Sequence, residues 1–105
     1  MKLAIYLAGP ITGLDEAEAF EAFALAERFI TDKGHEPLNP MKLVDQAGDR
    51  AYEEYLLDAL EIVLTSAQAL YMLDGWRSSL GARIEHAIAV EKKLPIFYQG
   101  SEIWD

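Results

Sequence analysis

Glu85 is the residue of this sequence best placed to do chemistry. It follows Ser79-Leu80-Gly81 on a segment that reads as a helix, after an apolar run closed by Asp74-Gly75. At about 100° per residue, Gly81 and Ala89 sit at i−4 and i+4, about 40° from Glu85 on the helical wheel. Two such small neighbours leave room for a ligand against the helix and let the carboxylate sit low, away from bulk water. Partial burial raises a carboxyl pKa and suits the group to nucleophilic or acid–base work. Otherwise Glu85 is a boundary glutamate paired with Lys92, Arg83 or solvent.

Other residues qualify by position. Tyr6 lies in the first apolar run, where a buried phenol must find a hydrogen-bond partner. Asp58 shares a helix face with Glu54, Glu61 and Thr65, which by itself is a solvated face. Asp74 directly follows a strand and is either a site aspartate or an ordinary turn residue. Ser79 is an N-cap candidate whose neighbouring amides could also hold a phosphate. Gly81 permits close approach of a ligand or merely of a strand. Trp76 is either exposed by its loop position or stacked on a ring. His35 and His86 lack ligand spacing, and no phosphate-loop, dinucleotide or nucleophile-elbow motif occurs, so neither metal nor cofactor is expected.

Residues 3–8 form a nearly continuous apolar run, as in a strand buried on both faces, and 9–14 form a turn or loop. Asp15 with Glu18 is a capping-box pattern for a helix whose apolar stripe is Phe20, Phe23, Ala24 and Ile30, ended by Gly34. Residues 35–38 read as a second strand closed by Asn39-Pro40, and 41–50 as a loop able to cover a site. Asp49 is the expected cap of a helix over roughly 51–66, with Tyr52, Leu56, Ala59 or Leu60, and Val63 inward. A third strand at 69–73, a helix at 79–92 with core stripe Leu80, Ile84, Ala87 and Ile88, and a fourth strand at 94–98 complete the order. Ile103 and Trp104 in the tail 101–105 are expected to pack against the domain.

This alternation predicts one α/β domain over 1–105, a small doubly wound parallel sheet of flavodoxin-like order 2-1-3-4 with helices on both faces. Ligands bind such sheets beyond the strands' carboxyl ends, where the order reverses. That switch point lies between the first and third strands, where residues 9–14 and 74–78 converge.

The chain carries 51% apolar and 26% charged residues and no cysteine, which excludes disulfides and thiolate chemistry. A formal charge of −9 with scattered basic residues argues against a nucleic-acid polymer as partner. No signal peptide or membrane-length apolar run is seen, so a cytoplasmic protein without membrane contact is expected.

Four separated pieces then line up: Tyr6-Leu7-Ala8-Gly9-Pro10-Ile11-Thr12-Gly13, Asn39-Pro40, Asp58, and Ser79-Leu80-Gly81 followed by Glu85. In that order they resemble the nucleoside 2-deoxyribosyltransferase superfamily, which includes the 2′-deoxynucleoside 5′-monophosphate N-hydrolases. The resemblance covers nearly the whole chain and is closest to a small, phage-associated branch of unknown function. It implies that Glu85 is a nucleophile attacking C1′ of the deoxyribose, that Tyr6 lies beside that carboxylate, and that Asp58 contacts the sugar hydroxyls. Gly9, Pro10, Ile11 and Thr12, with Ser79, would hold the 5′ end, and Asp74 would match a base-side aspartate. The implied activity is cleavage or transfer of an N-glycosidic bond in a nucleoside or nucleotide, without cofactor.

Two features depart from the family pattern. The transferases carry further C-terminal residues that reach a neighbouring subunit's site, whereas this chain stops soon after its fourth strand. The phosphate-binding hydrolases have a more basic first loop, whereas 9–14 holds no Arg or Lys, a gap Arg77 would have to fill. A catalytically silent nucleotide-binding or sensing module is therefore the alternative, with a purely structural domain behind it. A homo-oligomer is expected, with Tyr52 and Tyr55 of the second helix as its contact surface.

Overall fold

A computed structural model describes residues 1–11, 15–44 and 51–101. Its elements are β1 (Ala4–Ala8), α1 (Glu16–Asp32), β2 (Glu36–Leu38), α2 (Pro40–Leu43), α3 (Tyr52–Thr65), β3 (Ala69–Met72), α4 (Leu80–Lys92) and β4 (Ile96–Tyr98), with a 3₁₀ turn at Trp76–Ser78. The four strands form one parallel sheet in the order β2-β1-β3-β4, the flavodoxin-like arrangement expected. Tyr6 lies beside Leu38 on one side and Leu70 on the other, and Ala8 lies beside Met72.

Strand alternation divides the core into two layers. Ile5 and Leu7 of β1, with Ala69 and Tyr71 of β3, pack against Phe23, Ala26 and Ile30 of α1. Tyr6, Ala8, Leu70 and Met72 point to the opposite face and meet Ala59 and Val63 of α3 and Ala82 and Ala89 of α4. Burying a side chain such as Phe23, Ile5 or Leu70 contributes on the order of 1.5–3 kcal/mol each, which is what fixes β1 and β3 at the centre.

Several local expectations are corrected. Phe20 is exposed and Ala19 takes its place on the inner face of α1, because Ala19, Phe23, Ala26 and Ile30 follow the helical step more closely. Asp15 makes no side-chain capping bond. Gly34 does end α1, in the left-handed region at φ +88°. Residues 40–43 are helical rather than loop: Pro40 supplies a preset φ, and the Asn39 side chain accepts from the Met41 amide at 3.0 Å. The N-cap of α3 is Ala51, and Asp49 lies outside the described residues, as do Thr12, Ile103 and Trp104.

The largest correction concerns α4. Leu80 and Ala87 are exposed, and Ile84 and Ile88 are only partly buried; the buried face is Gly81, Ala82, Glu85 and Ala89. Large side chains on the facing elements, Tyr6 from the sheet and Tyr52, Tyr55 and Leu56 from α3, already fill the layer. Close packing then admits only small residues from α4, plus one carboxylate.

Candidate active site

α4 begins where Ser79 caps it: the Ser79 Oγ accepts from the Ala82 amide at 3.2 Å. Fewer than two turns of helix then carry Glu85 inward onto the face of the sheet that bears Tyr6. There the Tyr6 hydroxyl donates to Glu85 Oε2 at 2.5 Å, joining groups 79 residues apart. Glu85 is only 5% exposed. No lysine or arginine pairs with it among the described residues; Lys92 instead donates to the Leu64 carbonyl at 2.7 Å.

Burial without a countercharge pushes the Glu85 carboxyl up to about 7, and the Tyr6 hydrogen bond opposes part of that rise by favouring the anion. The Tyr6 phenol moves upward too, first by burial and then by the adjacent Glu85 charge. It therefore stays protonated and keeps donating. Oε2 is engaged and Oε1 makes no hydrogen bond among the described residues, which leaves one oxygen for a ligand.

The pair borders a cavity of about 20 Å³ lined by residues that include Gly9, Ile11, Tyr52, Tyr55, Ser79 and Gly81. An open hollow for a sugar ring was expected beside Glu85. The space present suffices for about one water molecule. Tyr52, Tyr55 and Leu56 of α3 account for the difference. Tyr52 and Leu56 face inward as expected, and Tyr55 joins them in lining this cavity. For Tyr55, three residues after Tyr52 and four before Ala59, that same helical spacing was the available signal.

The two site glycines are explained by contact. A Cβ on Gly9 would stand 2.8 Å from Leu73 Cβ, so glycine lets the first loop cross the end of β3. A Cβ on Gly81 would stand 3.0 Å from the Tyr52 hydroxyl and 3.4 Å from Leu56 Cδ1. Gly81 is thus approached by a helix, neither of the two neighbours expected for it.

The remaining candidates separate. Pro10 lies in the first loop, with its Cγ 3.4 Å from where a Gly75 Cβ would be, and Ile11 reaches the cavity. Asp58 is exposed on α3 and is not among the cavity residues. Asp74 is exposed, with its amide donating to Gln99 Oε1 at 2.7 Å, and it lines a separate depression with Trp76 and Arg77. Trp76 stacks on His86, ring centres 4.4 Å apart, and the Arg77 guanidinium lies over the Trp76 ring at 4.8 Å. Asn39 is structural: besides capping α2, its Nδ2 donates to Glu27 on α1 at 3.2 Å. Pro40 beside it does line the cavity. No group of three or more His, Asp or Glu side chains able to hold a metal ion occurs among the described residues.

Fold and site together define a small parallel α/β domain with a desolvated carboxylate at its switch point. The chain belongs to the family described as Domain of unknown function (DUF4406), whose model matches residues 3–98. No curated protein and no solved structure matches it. No helix among the described residues is long and apolar enough to cross a membrane.

Proposed function

We propose that this protein cleaves or transfers the N-glycosidic bond of a nucleoside or nucleotide, with Glu85 as nucleophile. The observation that carries this reading is the buried Glu85–Tyr6 pair, without a cationic partner among the described residues, bordering a cavity that extends to Gly9 and Ile11 beyond the carboxyl end of β1. A carboxylate held there by one oxygen has the other available beneath C1′ of a bound sugar. As the bond to the base lengthens, positive charge develops on the ring, and an anion in a low-dielectric site stabilises it strongly. Oε1 then bonds to C1′, and the glycosidic electron pair leaves with the base nitrogen, which takes a proton from solvent. Water or a second base attacks the glycosyl ester, releases product and restores the carboxylate. Two inversions give net retention. Tyr6 acts by orienting Oε2 and by keeping Glu85 ionisable near neutrality. The Asp58 role drawn from the resemblance has no support in this cavity.

Incubation with a panel of deoxynucleosides and their monophosphates, followed by chromatography of free base, tests the reading. Base release abolished by Glu85→Gln is the expected result. Undiminished release in that variant would remove Glu85 from the role of nucleophile.

The first loop, residues 9–14 without Arg or Lys, motivates a second reading, a nucleotide-binding or sensing module that does not turn over. It predicts that a nucleotide raises the melting temperature with no base released. A panel in which no nucleoside or nucleotide shifts the melting temperature would count against both.

A further inference from the structure

A second cavity adjoins the first. It holds about 270 Å³ and is lined by Tyr52, Ser78, Ser79 and Leu80. Tyr52 and Ser79 line both spaces, so their side chains form the partition between an inner chamber with Glu85 and an outer depression open to solvent. Of the two, Ser79 is fixed by its bond to the Ala82 amide. Tyr52 is not fixed in this way: its hydroxyl makes no hydrogen bond among the described residues and rests in the notch left by Gly81. It is also the first residue of α3, where the Ala51 cap contributes no side-chain bond.

We propose that Tyr52 is a side-chain gate, and that the inner chamber and the outer depression are two halves of one ligand site, joined when its ring swings away from Gly81. The inner chamber of about 20 Å³ and the outer depression of about 270 Å³, with the volume that the ring vacates, together approach the low end of the roughly 300–1,000 Å³ typical of small-molecule sites. The identity of the ligand rests on the glycosidic reading: a nucleoside would place its sugar over Glu85 and its remaining polar part beside Ser78 and Ser79. The gate itself does not depend on that reading.

Access to Glu85 can be measured without turnover. The intact protein is treated with a water-soluble carbodiimide and an amine, and the rate of Glu85 labelling is followed by peptide mass spectrometry. Removing the gate by Tyr52→Ala is expected to speed labelling at least roughly tenfold, the difference between a site that must open first and one that stands open. Tyr52→Leu, which keeps an apolar side chain on α3, should also speed it, whereas Tyr52→Phe should match the native rate. Leu57→Ala, at an exposed α3 position outside both cavities, should change nothing. Circular dichroism establishes which variants fold. Native-rate labelling in the folded Tyr52→Ala or Tyr52→Leu protein overturns the gate, as does equal acceleration by Leu57→Ala. Faster labelling without base release on any nucleoside would leave the gate standing and sink the glycosidic reading alone.

Discussion

Replacing Glu85 by glutamine is expected to stabilise the protein above neutral pH while removing base release. The size of the gain follows from the displaced ionisation. The carboxyl titrates at about 7 in the folded chain against 4.5 for an ordinary glutamate. Below the lower value Glu85 is neutral in both states, and folding carries no charge penalty. Between the two values the unfolded chain ionises while the folded chain does not, so stability falls as pH rises. Above about 7 the charge is buried and the whole penalty is present, on the order of 3 kcal/mol at about 1.4 kcal/mol per pH unit. Glutamine does not titrate and can still accept from Tyr6. Its amide protons need a partner, and an unmet buried donor costs about 1–3 kcal/mol, although a water in the cavity beside Glu85 can satisfy part of that need. The net gain expected at about pH 8 is therefore about 1–3 kcal/mol, or roughly 5–20 °C in melting temperature for a domain of this size. Near pH 4 it should vanish or reverse. Thermal melts of native protein and Glu85→Gln by circular dichroism across this range measure it. A variant no more stable than native at about pH 8, or a difference that ignores pH, would refute the claim that this carboxylate is desolvated.

Three further outcomes are expected. Tyr6→Phe removes the hydrogen bond that holds the Glu85 carboxyl down, so the rise of base release with pH, set by ionisation of the nucleophile near 7 in the native protein, should move to higher pH. The pH–rate profile reads that shift, and carbon NMR titration of Glu85 reads it without turnover. Gly9→Ala drives a Cβ to 2.8 Å from Leu73 Cβ and should cost about 1–3 kcal/mol in urea denaturation through overpacking. Ser79→Ala removes the α4 cap and should cost about 1 kcal/mol in the same measurement.

The order of elements and the parallel sheet could be read directly, because the apolar runs of β1 and β3 and the helical periods between them leave few right-handed topologies. The candidacy of Glu85 was also legible, from Gly81 and Ala89 at one helical turn on either side. Tyr6 was legible as a phenol in need of a partner, and its contact with Glu85 came only with the docking of α4. The rotation of α4 could not be read from apolar periodicity. Its inward face is set by the volume left over by Tyr6, Tyr52 and Tyr55, and that volume belongs to other elements.

The sequence by itself determined the sheet, its strand order and the carboxylate most able to act. Tertiary structure alone decided how deeply that carboxylate is buried, which phenol donates to it and how little space remains beside it. These quantities depend on side chains brought together from β1, α3 and α4, and local pattern carries no information about how three distant segments fill one volume.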